Sequence, residues 1–426
     1  LAEQDQIFKK CAWRLIPFMM LLYVVNFIDR SNVGFAALTM NRDLGFSPTV
    51  FGFASGVFFI GYLLFQVPAT VLLERTGARR LIFAIMLVWG LISASNAFVR
   101  DAYASYTLRF VLGVAEAGFF PGMIFYLTLW FPKRLRGRYS AMFSSAIPLA
   151  GIVAGPLSGA VLGLEGVAGL HGWQWLFLIQ GLPASLLAFA VIRYLPDSPA
   201  HAPWLDAAEK RTVAASVVPA APTDKGDLWK SLRDPRILVL GVAAVASGSA
   251  LYATSLWLPQ IIKAMGFSNR ATGFVSALPY MAAMAAMLFW GRRSDAAGER
   301  IWHVAIAWMF AAAGFAVASV TENHALMFLG LLFGLVGVLS AFGPFYSLPS
   351  SFLTGAAAAA GIAVVNSIAN LGGFLGPVLV GILKERTGGY GAAFAVLALG
   401  LMLAALMVVV LDRATSLRPA MIQPAA

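Results

Sequence analysis

Apolar runs of about 18 or more residues, each long enough for a helix to cross a hydrocarbon core of ~30 Å, recur along the chain with short polar turns between them. Twelve such runs can be counted. In the first half they extend from Arg14 to Leu38, Thr49 to Leu73, Leu81 to Phe98, Ala104 to Trp130, Tyr139 to Leu162 and Trp173 to Leu195. In the second they extend from Ile237 to Leu258, Ala271 to Trp290, Trp302 to Val320, Ala325 to Leu348, Ala360 to Leu383 and Ala392 to Leu411. The one long polar connection, Pro196 to Arg236, divides the chain into residues 1–195, a linker over 196–236, and residues 237–426. The pattern predicts an all-α membrane protein with twelve transmembrane helices in two pseudo-symmetric six-helix halves.

A repeat inside the chain supports the two halves. Gly151, Gly155 and Pro156 form GxxxGP, and Gly372, Gly376 and Pro377 repeat it 221 residues later. The same offset carries Glu74, Gly77 and Arg79, in the turn between the second and third spans, onto Asp295, Gly298 and Arg300. A duplicated six-helix unit predicts a binding site near mid-membrane where the halves meet. The GxxxGP pair reads as close helix packing.

Composition agrees with this reading: 60% hydrophobic and 12% charged residues leave too little polar surface for a soluble globule. The net charge of +11 would suit nucleic acid, but the basic residues gather at span ends. With the amino terminus in the cytoplasm, 22 of the 30 Lys and Arg fall on that side and 6 on the other, with Arg30 and Arg109 inside spans. Positive residues favour the cytoplasmic face. The expectation is a multi-pass monomer in the lipid of an inner (plasma) membrane, both termini and the linker cytoplasmic, with no nucleic-acid partner. The single Cys11 excludes an internal disulfide, and the scattered His171, His201, His303 and His324 have no metal-binding spacing. No phosphate-binding GxxxxGK[ST] loop is present, so nucleotide hydrolysis is not expected; the expectation is a protein that is not an enzyme, with no cofactor or metal.

The candidate chemistry lies in four ionisable residues within apolar spans: Asp29 and Arg30 in the first, Arg109 and Glu116 in the fourth. A charge at bilayer depth costs roughly 2.5–3.5 kcal/mol on insertion scales, so such residues face a bundle interior or an aqueous cavity. The repeat is an internal control, because the offset positions are Ala250, Leu251, Gly330 and Gly337. The second copy folds without these charges. One alternative is that the four merely neutralise one another. The favoured reading makes Arg30 an anion anchor, since a guanidinium stays charged and holds a carboxylate with two hydrogen bonds. Asp29 and Glu116 are then placed to gain and lose protons.

Polar residues at similar depth extend the site: Tyr23, Asn26, Asn32, Tyr62, Ser144, Ser145, Tyr252, Tyr346, Ser347, Asn366 and Asn370. Asn370 and Tyr62 lie near the centres of their spans. Glu74, Arg75, Gly77, Arg79 and Arg80, Arg136 and Arg138, and Asp295 and Arg300 lie in the turns and read as gating residues, able to form ion pairs and cap helix ends in one conformation.

The twelve spans, the turn LLERTGARR (Leu72 to Arg80) and the central linker together resemble the major facilitator superfamily. YVVNFIDRSNVGFAAL (Tyr23 to Leu38) and RFVLGVAEAGFFPGMIFYLTLWFPKRLRGR (Arg109 to Arg138) resemble its anion:cation symporter family, which imports organic anions with protons. The turn departs in carrying Glu74 where Asp is usual. The resemblance implies the major facilitator fold, Arg30 on the substrate carboxylate, Asp29 and Glu116 in proton coupling with Arg109 supporting Glu116, and Tyr62 with Asn370 or Asn366 on the substrate. Ile147 stands near the position of a polar amide in sugar-acid members, which favours a less hydroxylated or aromatic acid. The expected function is import of a small organic carboxylate by proton symport through alternating access, with the proton as coupling ion. A proton-coupled efflux carrier and a carboxylate-binding membrane sensor are the alternatives.

Overall fold

The computed structural model describes residues 2–217, 233–353 and 355–416. Among them, twelve helical spans are long and apolar enough to cross a membrane: Gln4–Asp43, Pro48–Leu73, Ala78–Phe98, Ala102–Trp130, Arg134–Val161 and Gly172–Tyr194, then Pro235–Ala264, Asn269–Ala297, Ile301–Val320, His324–Phe352, Ala360–Thr387 and Gly391–Arg413. The predicted all-helical, twelve-span architecture is present.

Local chemistry starts the helices. The Ser47 hydroxyl accepts from the Val50 amide at 3.3 Å and Pro48 opens the second span, while Asp101 accepts from the Ala104 amide at 2.9 Å to open the fourth. The second span ends at Gly77, whose φ of +79° suits a residue without Cβ.

Three spans are broken, a feature the apolar pattern does not announce. The fourth comprises Ala102–Glu116 and Phe119–Trp130, the fifth Lys133–Ser144 and Ala146–Val161, and the tenth begins with His324–Ser340 and resumes at Phe342. Each break falls three to four residues before a proline, Pro121, Pro148 or Pro344. A proline ring lacks N–H and crowds the carbonyl four residues back. Pro68 and Pro279 nevertheless sit in unbroken helices.

The described residues divide into two compact units. One holds the first six spans, the segment that follows them and Pro259–Ala277; the other holds the remainder of the second half. In the first unit the third span packs on the sixth and the second on the fourth. In the second unit the ninth packs on the twelfth and tenth. Glycines set the closest approaches. A Cβ on Gly113 would overlap the Phe58 carbonyl oxygen, and one on Gly61 the Phe110 carbonyl oxygen, so the second and fourth spans meet backbone to backbone. The GxxxGP glycines also pack closely: Gly155 against Gly273, and Gly372 and Gly376 against Val245 and Ser249.

Candidate functional site

The close meeting of the second and fourth spans brings Phe58 and Tyr62 beside the ionisable residues of the first and fourth. All four charges are buried. Asp29 and Glu116 have no exposed surface, Arg109 keeps 1% and Arg30 8%. Neighbours on a helix point about 100° apart, so Asp29 and Arg30 take different partners. Arg30 Nη2 donates to Glu116 Oε2 at 2.9 Å, and Asn26 Nδ2 donates to the same oxygen at 2.7 Å. Asp29 Oδ1 accepts from Asn32 Nδ2 at 3.0 Å and from the Ser93 hydroxyl of the third span.

Arg30 is therefore an ion-paired guanidinium, where the sequence pictured an open anchor. Its Cζ lies 5.0 Å from the ring centroids of both Phe58 and Tyr62. Arg109 Cζ lies 5.3 Å from Phe58. The negative ring faces replace part of the water that these cations lose on burial. None of the Arg109 guanidinium nitrogens has a hydrogen-bond partner, so this residue acts on Asp29 and Glu116 by charge at a distance. Asn26 and Arg30 supply the contacts to Glu116 that the resemblance implied for Arg109. With both carboxyls ionised, two carboxylates and two guanidiniums sum to a neutral cluster.

In the second unit the Tyr346 hydroxyl donates to Asn366 Oδ1 at 3.3 Å, and Asn370 Nδ2 donates to the Asn366 carbonyl at 3.0 Å. Tyr346, Asn366 and Asn370 thus form one group. Tyr252 is half-buried, and the Ser347 hydroxyl is turned back to the Pro344 carbonyl of its own helix. Ser145 behaves like Ser347, donating to Met142. Tyr23 stacks at 4.7 Å on Phe143 of the fifth span.

The turn residues form ion pairs and helix caps. Arg79 pairs with Asp197 at 3.1 Å, beyond the sixth span, and Arg300 pairs with Asp295 at 2.6 Å and donates to the Ser294 hydroxyl at 2.9 Å. Arg136 donates to the Phe131 and Thr128 carbonyls, capping the carboxyl end of the fourth span. Arg75 and Arg138 are exposed, with Arg138 6.0 Å from the Tyr139 ring. The Glu74 side chain lies outside the described residues.

Two contributors escape a reading of the sequence. Phe58 lies in an apolar run that gives no sign of a cation above it. Ser93 is one of several small polar residues near the end of the third span, and only its hydrogen bond in the folded chain shows that it faces Asp29.

The sequence matches the model of the Major Facilitator Superfamily over residues 19–377. An Agrobacterium vitis protein named for tartrate transport is 44% identical over 96% of this chain and 95% of its own length. A quinolone resistance transporter of Acinetobacter baumannii is 40% identical over 92% of this chain and 91% of its own. The fold is shared with a bacterial homologue of the human lysosomal transporter Spinster, solved in an inward-facing and occupied conformation. The TM-score is 0.77 and the identity 16%, covering 94% of this chain and 96% of that one.

Proposed function

The chain belongs to the Major Facilitator Superfamily, as a membrane transporter and not an enzyme, and from that premise we propose that it imports a small organic carboxylate together with protons by alternating access. The observation that carries this reading is the Arg30–Glu116 pair, in which the arginine side chain keeps 9% of its surface and the glutamate none. Arg30 is the member an arriving anion reaches.

A carboxylate that takes both hydrogen-bonding edges of Arg30 displaces Glu116. A buried carboxylate deprived of its counter-ion is costly, and a proton removes the charge. The charge balance gives the coupling: the cluster is neutral, one substrate carboxylate adds a negative charge, and one proton restores neutrality. A dicarboxylate needs a second proton, for which Asp29 is the second buried carboxyl. Asn26 and Tyr62, and in the second unit Tyr252, Tyr346, Ser347, Asn366 and Asn370, are assigned to substrate contact. Arg75, Gly77, Arg79, Arg138, Asp295 and Arg300, with Glu74, are assigned to gating. The proton is the coupling ion. The relative named for tartrate transport supports an acid as cargo.

The test is a thermal-shift series with tartrate and simple mono- and dicarboxylates on the purified protein and on Arg30→Ala. An acid that raises the melting temperature of the wild type and not of the variant is expected, followed by its uptake into proteoliposomes driven by an acidic exterior. Failure of every acid to stabilise the wild type overturns the reading. Efflux is the second reading, favoured by the relative named for quinolone resistance. It predicts proton-driven movement of a quinolone out of the cell and no acid-stimulated carboxylate uptake.

A further inference from the structure

Asp29 lies in a sealed position where any change of its charge must be met by neighbouring side chains, and two donors meet it at one oxygen. Asn32 Nδ2, one turn along the same helix, can only donate. The Ser93 hydroxyl comes from a different span, is itself 1% exposed, and hydrogen-bonds Oδ1. A hydroxyl both donates and accepts, and it rotates to suit. It can donate to the carboxylate and accept from the carboxylic acid. An unsatisfied buried polar group is penalised in either state, so a partner that serves both is what a carboxyl cycling between charged and neutral forms requires.

The surrounding packing fixes that hydroxyl. A Cβ on Gly181 of the sixth span would come within 3.0 Å of Ser93 Cβ and Oγ and within 2.8 Å of the Ala94 amide. Glycine at 181 is thus the space in which Ser93 sits. One turn earlier, a Cβ on Gly90 would stand within 2.6 Å of the Ser185 amide and 2.8 Å of the Gly181 carbonyl, which holds the third and sixth spans at the same close distance. The third span cannot slide away from the sixth without giving up this contact.

We propose that Ser93, seated by Gly181, is the positioning residue of the Asp29 proton site, exchanging the direction of its hydrogen bond as Asp29 gains and loses its proton. The proposal rests on the proton-coupling reading of Asp29 and adds a group that the charge pattern did not name. The third span thereby becomes part of the coupling machinery, though it carries no charge at bilayer depth. Ser93→Thr keeps the hydroxyl and Ser93→Ala removes it. Gly181→Ala crowds it from behind.

Infrared difference spectra between acidic and alkaline buffer, recorded on purified protein in liposomes, read the carboxyl directly. The band that disappears in Asp29→Asn is that of Asp29. It is expected to shift in Ser93→Ala and in Gly181→Ala, and to keep its position in Ser93→Thr. In proteoliposomes with tartrate as the probe, Ser93→Ala is expected to lower proton-driven accumulation about tenfold while tartrate counterflow falls less than about threefold, since loss of a hydrogen bond to a charged group is felt mainly in the step that moves the proton. Ser93→Thr restores both. A merely structural serine would depress accumulation and counterflow together, and that result overturns the proposal. An Asp29 band that Ser93→Ala leaves in place also overturns it while sparing the coupling reading. An Asp29→Asn protein that loses no band and still accumulates tartrate against its gradient sinks both.

Discussion

At the scale of residues, the neutrality of the cluster makes Arg109 the sharpest point of attack. Its guanidinium has no hydrogen bonds to lose, so its replacement removes charge and little else from the local network. Arg109→Met keeps much of the volume and leaves two carboxylates facing one arginine. Breaking a buried charge pairing costs about 3–5 kcal/mol, and the absence of direct contacts places Arg109 toward the low end. The variant is expected to melt well below the wild type at pH 7.5 and to recover much of the difference near pH 5, where a proton on Glu116 or Asp29 restores neutrality. Equal losses at both pH values would show that Arg109 serves packing over Phe58 alone. These charges were legible in the sequence because lipid makes them expensive and because the second copy lacks them. Their pairing was not. Arg109 and Glu116 share a face at a spacing of seven, yet Glu116 is held by Arg30 and Asn26 of another span, a choice made by helix rotation and side-chain reach.

At the scale of elements, the second and fourth spans decide where Phe58 stands, and their contact is made by glycines. A Cβ on Gly113 meets backbone atoms, the Phe58 carbonyl and the Tyr62 amide, which cannot step aside as a side chain can. Gly113→Ala is expected to cost about 1–3 kcal/mol and to weaken carboxylate binding, because separating the spans draws Phe58 and Tyr62 away from Arg30. Gly137, helical and with nothing within 4 Å of its would-be Cβ, supplies the control. Gly137→Ala is expected to be neutral or to stabilise by up to about 1 kcal/mol. Melting temperatures of the two variants check the contrast, and similar values for both would remove the argument for close packing. The spans themselves could be read from apolar run length. The breaks in the fourth, fifth and tenth could not, because prolines such as Pro68 and Pro279 sit in continuous helices, and only the surroundings of each carbonyl decide.

At the scale of the whole chain, the internal offset of 221 residues survives in backbone geometry: Gly77 and Gly298 both have positive φ, +79° and +62°. What the repeat does not reveal is the segment after the sixth span, which is polar enough to read as a tether. Residues 196–217 are instead docked on the first unit. Pro196 accepts from the Tyr126 hydroxyl at 2.8 Å, Trp204 stacks on Trp130 at 5.4 Å, and Ala202, Leu205 and Val213 are buried. The helix Ala207–Ser216 opens with a capping box in which Asp206 and Glu209 satisfy each other's amides. Both Glu209 oxygens also accept from Lys10 Nζ at 2.8 Å, and Lys10 lies in the helix Ala2–Asp43, which at about 1.5 Å per residue is long enough to carry its first turns beyond the hydrocarbon core. The Lys10 ammonium, together with the Asp206 amide, holds the Glu209 carboxyl below its ordinary value of 4.5. A carboxyl so lowered stabilises the docked state fully above that ordinary value and loses its contribution as pH falls through the lowered one. Exposed pairs of this kind are individually weak, so the effect is local loosening and not unfolding. Amide hydrogen exchange over 207–216, corrected for the intrinsic rate at each pH, is expected to speed up in the wild type at pH 3–4 relative to pH 7. In Glu209→Gln it is expected to be fast already at pH 7. Protection that is the same in variant and wild type at neutral pH would leave Val213 and Trp204 as the groups that hold the segment, and would remove Lys10 from any part in securing it.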